Sequence, residues 1–113
     1  MIYEQRIYHA MPGWMADLLR RFEQVTVPIW ERVEIRQVGF WTYAVGGSNH
    51  DLVYLLEWES MAEREQKWTA FQADPEWIEK RNQTEEEGPL ISSISNAFLQ
   101  PTKFSKMGNA RQA

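Results

Sequence analysis

Residues 52–58 read Leu-Val-Tyr-Leu-Leu-Glu-Trp, so six of seven consecutive positions carry a large apolar side chain. The mix of branched and aromatic residues suits a strand, and successive strand side chains point to opposite faces. Leu52, Tyr54, Leu56 and Trp58 therefore share one face, and Val53 and Leu55 the other. The same two-sidedness recurs at 38–45, where Val38 and Phe40 oppose Trp41, Tyr43 and Val45. It recurs again at 90–99, where Leu90, Ile94 and Phe98 oppose Ile91 and Leu99. An antiparallel sheet with one wet face needs polar residues on that face. This chain needs a cover on both.

The segments between the strands supply one cover. Residues 2–9 alternate as a strand, with Ile2, Glu4, Arg6 and Tyr8 on one side and Tyr3, Gln5, Ile7 and His9 on the other. Pro12-Gly13 breaks it, and from Trp14 the positions Met15, Leu18, Phe22, Val25 and Ile29 recur at helical spacing, with Asp17, Arg20, Arg21 and Gln24 opposite. Pro28 has no N–H to donate, so the helix kinks there or restarts with Pro28 in a first turn. Gly46-Gly47-Ser48-Asn49 is a hairpin turn by chemistry. Ser60 with Glu63 forms a capping box for a helix to about residue 73, and Asp74-Pro75 opens another that ends at Gly88-Pro89.

The order is β, α, β, β, α, β. Right-handed crossovers then give an α+β, ferredoxin-like plan, with four antiparallel strands in the spatial order 4-1-3-2 and helices on one face. The compact domain is expected over 1–100, with 101–113 a polar, flexible tail. The other sheet face still lacks a cover. Burying four or five such side chains contributes roughly 1.5–3 kcal/mol each at most, and contiguous apolar patches mark interfaces. A second copy, sheet against sheet, meets the need.

Charge narrows the partners. The chain carries −4 in all. Residues 101–113 contribute Lys103, Lys106 and Arg111 and no acid, which leaves the first hundred residues at −7. An acidic body does not suit nucleic acid or an anionic membrane surface. No cysteine is present, so disulfides, thiolate nucleophiles and Cys-bound metals are excluded together. No apolar run approaches the roughly 18 residues of a membrane span. The opening Met1-Ile2-Tyr3-Glu4 does not read as a signal peptide, and the cytoplasm is the expected compartment.

Candidate site residues are few. The two histidines, His9 at a strand end and His50 in the hairpin turn, have no metal-binding spacing and read as surface or loop residues. No metal or cofactor is expected. Met61, Arg64, Trp68 and Phe71 follow 3-4-3 spacing, which sets Arg64 on an apolar helix stripe. Two roles are open to it. Its stem packs on the core with the guanidinium over Trp68 or on a carboxylate such as Glu57, or it binds an anion at the mouth of a helix–sheet cavity. Tyr8, Trp14, Trp41, Tyr43, Trp68 and Trp77 are either core or the lining of a pocket for a planar aromatic ligand. Arg6 and Glu57 lie on strands expected to be neighbours and read as an ion pair. Glu85-Glu86-Glu87 reads as a solvated helix end.

Taken together, these landmarks resemble the NIPSNAP family of the dimeric α/β-barrel superfamily. The likeness rests on Arg6 and Tyr8 before Pro12-Gly13, Gly39-Phe40-Trp41, Gly46 and Asn49, and Val53-Tyr54-Leu55. Ser60, Arg64, Asp74-Pro75-Glu76-Trp77 and Pro89-Leu90-Ile91 complete it, over about residues 2–99. The resemblance implies a dimer whose two sheets face each other as a barrel, and no settled activity. The N-terminal targeting extension of eukaryotic relatives is not expected here, so their mitochondrial and vesicle-traffic roles are not carried over. Haem binding, known in the superfamily, would want a His on the second helix, and none is there.

Two functions compete. One is a homodimeric NIPSNAP-like module of undefined role, holding a small aromatic or anionic ligand among Tyr8, Trp41, Tyr43, Glu57, Arg64 and Trp68. The other is a cofactor-free monooxygenase or small-molecule isomerase. An enclosed cavity of several hundred Å³ with converging polar groups favours the enzyme; a filled space between helices and sheet favours the module.

Overall fold

The computed structural model describes residues 1–108; Arg111 of the basic tail lies outside them. Strands β1 (Ile2–Ala10), β2 (Arg36–Thr42), β3 (Asp51–Trp58) and β4 (Ile91–Leu99) form one antiparallel sheet in the order β2-β3-β1-β4. This is the expected 4-1-3-2 arrangement read from the other edge. Helices α1 (Met15–Arg21) and α2 (Val27–Val33) follow β1, and α3 (Met61–Gln72) and α4 (Pro75–Thr84) follow β3. The fold is α+β and ferredoxin-like.

Local chemistry accounts for the helix ends. Residue 28 cannot bond back to Gln24, and the chain answers with a π-helical turn over Phe22–Thr26, in which the Val27 N–H reaches the Phe22 carbonyl. Pro28 then sits in the first turn of α2. Glu34 ends α2 at φ 61°, and the Ile35 N–H closes on the Trp30 carbonyl at 2.9 Å. Ser60 Oγ accepts from the Glu63 N–H at 3.1 Å, while the Glu63 carboxylate reaches back to the Glu59 N–H at 2.8 Å. Asp74 caps α4 through the Trp77 N–H at 3.0 Å.

Four details depart from the sequence reading. β2 ends at Thr42, because Gly46 and Gly47 take positive φ and bend the chain early. Tyr43 and Val45 therefore lie in the turn, and the Tyr43 ring lies where a Cβ on Gly47 would stand. β4 carries an extra residue at Ser92, since His9 pairs with Ser93 but Ala10 pairs with Ile91. That bulge turns Ile91 to the same face as Ile94 and Phe98, where it packs on the core. Arg21, expected on the wet face of its helix, is buried because α4 packs over it: its guanidinium donates to Glu85 at 3.0 Å and lies 5.5 Å from the Trp77 ring. Glu85 is therefore the partner of a buried cation rather than only a solvated helix end.

The helices cover the face bearing Tyr8, Ala10, Leu52, Tyr54, Leu56 and Trp58. Rings fill the layer between. Trp30 is fully buried and meets Phe22, Phe40, Tyr54, Trp68 and Phe71 at 5.6–6.3 Å between centroids. Removing it leaves a cavity that stiff neighbours cannot close. Trp30→Ala should lose about 3–5 kcal/mol of unfolding free energy in urea titrations; a loss below about 1 kcal/mol would show that the layer is not packed around it.

Candidate functional site

The alternation of β1 turns Glu4, Arg6 and Tyr8 inward under the helices, so two charged groups enter the core side by side. Glu4 is 0% exposed. Its Oε1 accepts from Trp58 Nε1 and Arg64 Nε, each at 3.1 Å. Its Oε2 accepts from Arg6 Nη1 at 2.9 Å and from Arg64 Nη2 and Asn96 Nδ2 at 3.1 Å. Arg6 in turn donates from Nε to the Tyr54 hydroxyl at 2.8 Å and from Nη2 to the Tyr8 hydroxyl at 3.4 Å, and lies 4.4 Å from the Trp68 ring centroid. Arg64 lies between the Trp68 and Phe98 rings, at 5.2 and 5.4 Å. One carboxylate thus ties β1 to β3, β4 and α3.

Burial alone would raise the Glu4 pKa. The hydrogen bonds from Arg64, Asn96 and Arg6 outweigh it and hold the carboxyl below its ordinary value of 4.5. Burial also works against the charge of Arg6, and the oxygens of Tyr54, Tyr8 and Glu4 around it more than restore it. Two guanidiniums around one carboxylate leave the cluster one positive charge in excess, at the Arg64 end, where β4 is exposed.

Of the six residues singled out from the sequence, the structure brings three together: Tyr8, Arg64 and Trp68 belong to this cluster. The other three stand apart. Trp41 is on the opposite sheet face, paired with Val53, and is 50% exposed. Tyr43 is in the hairpin turn. Glu57 also lies on the opposite face, bonded by Arg36 at 3.2 Å and by the Tyr3 hydroxyl at 3.1 Å. It pairs with neither Arg6 nor Arg64, since the register sets Tyr3 across from Glu57 and Arg6 across from Tyr54. The aliphatic and ring packing of Arg64 is present, but its carboxylate is Glu4. Sequence reasoning missed Glu4, Tyr54, Trp58 and Asn96 as members, although β1 alternation already set Glu4 beside Arg6 and Tyr8.

The other sheet face carries Ile7, Trp41, Val53, Leu55, Ala97 and Leu99, with no helix over it. At one end, residues 101–107 turn back beside Tyr3 and Leu55 around a hollow of about 150 Å³. At the other, His9 bridges Asp51 at 2.7 Å and Ser95 at 3.0 Å. On the helix side, Leu19, Phe22, Glu23, Val27, Phe40 and Leu52 line a groove of about 370 Å³ beside the π turn. Among the described residues no helix is long and apolar enough to cross a membrane.

A model of the NIPSNAP family matches residues 3–106, nearly the whole chain and well beyond the last strand. The chain belongs to the NIPSNAP family. This NIPSNAP domain is similar to the crystal structure of an uncharacterized NIPSNAP-like domain protein from Burkholderia xenovorans, with a TM-score of 0.80 and 28% identity over 92% of this chain and 87% of that one. It is similar in fold to a NIPSNAP family protein from Agrobacterium tumefaciens, at 0.82 and 23% over 94% and 97%. A Mycobacterium tuberculosis protein shares the fold at 0.57 and 15% over 92% and 97%. No curated protein matches the chain in sequence. The biochemical role of this NIPSNAP domain is accordingly undefined by kinship.

The Glu4 cluster makes two linked predictions. Glu4→Gln leaves the buried Arg6 and the partly buried Arg64 without their carboxylate and should cost about 3–5 kcal/mol of stability at pH 7. A carboxyl whose folded pKa is depressed stabilises above its unfolded value and loses that contribution as pH falls through the folded one. Wild-type stability should therefore fall as the pH drops below about 4.5, with a shallower fall for Glu4→Gln. Parallel acid limbs in chemical denaturation would contradict the assignment.

Proposed function

We propose that this chain works as a homodimeric NIPSNAP domain, closed sheet against sheet, with its helix–sheet layer serving as scaffold rather than as a substrate chamber. The observation that carries the reading is the bare sheet face. Its centre carries Ile7, Val53, Leu55 and Ala97 beside the uncharged Gln5 and Ser95, and Asp51 and Arg36 nearer its ends bond within the chain to His9 and Glu57. An uncharged centre of this kind does not select a charged partner and suits its own copy, as a two-fold interface requires. The barrel-like dimer implied by the family resemblance has the same geometry. An acidic body with most of its bases engaged in ion pairs supports neither a nucleic acid nor an anionic membrane as partner.

The scaffold role of the inner layer is supported by its contents. Rings fill it, and Arg6 and Arg64 spend their donors on Glu4 and the tyrosines. A monooxygenase or isomerase of the superfamily's kind would need converging polar groups free to meet a substrate. A small aromatic ligand finds better support in the groove at the π turn, where apolar walls meet a single carboxylate, Glu23.

Size-exclusion chromatography with light scattering should give twice the 13.4 kDa chain mass at micromolar concentration. Leu55→Asp, which sets a charge in the middle of the bare face, should give a folded monomer. A wild-type monomer, or a dimer unmoved by Leu55→Asp, would overturn the proposal.

A further inference from the structure

A sheet-to-sheet partner leaves the groove beside the π turn open. Phe40 and Leu52 line it from the helix side of the sheet, and Leu19, Phe22, Glu23 and Val27 line it from the kinked helix. The π turn shapes that helix wall. Val27 donates to the Phe22 carbonyl, five residues back rather than four, and the wider turn brings Val27 round toward the side on which Phe22 faces the sheet. Turns of this kind occur often at functional sites.

The lining specifies a ligand. At about 370 Å³ the groove has the volume of a small-molecule site. Two of its walls are rings: Phe22 and Phe40 stand 5.7 Å apart, inclined at 60°. A planar ring set against both meets one by its face and the other by its edge, arrangements that aromatic pairs favour. Glu23 is the charged member of the lining. Among the described residues no cation pairs with it, and Arg20, one turn earlier, is held by Asp17 at 2.9 Å. A free carboxylate at the rim of apolar walls attracts an ammonium, whose N–H groups make charge-assisted bonds to it, and repels an anion. The acidic body adds a longer-range pull on cations.

We propose that the groove binds a primary arylalkylamine, with its ring against Phe22 and Phe40 and its ammonium on the Glu23 carboxylate. This ligand class rests on the reading that small molecules enter at the π turn and not in the ring-packed layer.

The test is a titration of the isotope-labelled full chain followed by amide NMR. Phenethylamine is the probe, with phenethyl alcohol and hydrocinnamate as its neutral and anionic counterparts. The amine should shift the Leu19, Glu23, Phe40 and Leu52 resonances saturably and bind about 10-fold more tightly than the alcohol. Hydrocinnamate should leave them unmoved. Glu23→Gln should lower the affinity for the amine to that for the alcohol. Leu19→Lys, which sets a cation one turn from Glu23, should abolish amine binding. Both positions are exposed, so melting temperatures should hold. Equal affinity for amine and alcohol, binding of hydrocinnamate, or an amine indifferent to Glu23→Gln would overturn the ammonium and leave a ligand groove. No shift at these residues with any of the three compounds would overturn the groove as well. Shifts that follow protein concentration alone would give the groove to a second copy and overturn the proposal.

Discussion

A single carboxylate, Glu4, organises the interior of this domain. Five donors from β1, β3, β4 and α3 converge on its two oxygens. An ion of that size cannot enter a ring-packed core unless its hydrogen-bonding capacity is filled. Each donor therefore constrains the register or approach of the element it comes from. The position of α3 over the sheet follows from Arg64, and the pairing of β4 against β1 is fixed in part by Asn96.

This constraint also governs where function can lie. An inner layer whose cations answer one carboxylate and whose remaining space holds tryptophan, tyrosine and phenylalanine offers little to a substrate. The features that the fold leaves uncovered are on the outside: the sheet face away from the helices and the groove beside the π turn.

Much of the architecture is legible in the residues themselves. Alternation gave the faces of β1 and β3, Ser60 and Asp74 marked their helices, and Pro28 announced the discontinuity that the π turn resolves. What alternation cannot reveal is register. Arg6 and Glu57 look like partners until the pairing of Tyr3 with Glu57 separates them onto opposite faces. One bulge residue at Ser92 reverses Ile91, because the side-chain period of a strand is two. Arg21 and Glu85 meet only through the packing of α4, which no local pattern encodes. The candidate site was half legible for the same reason: Arg64 stood out on its helix, but its carboxylate came from a strand sixty residues earlier.

Glu4 and Arg64 act as one unit rather than as two polar residues that meet by chance. A double-mutant cycle of Glu4→Gln and Arg64→Met, read by urea unfolding at neutral pH, measures that directly. Coupling of at least about 1 kcal/mol between the two substitutions is predicted, as for groups in one buried network. Losses that add within about 0.3–0.5 kcal/mol would be those of independent sites, and would contradict the account.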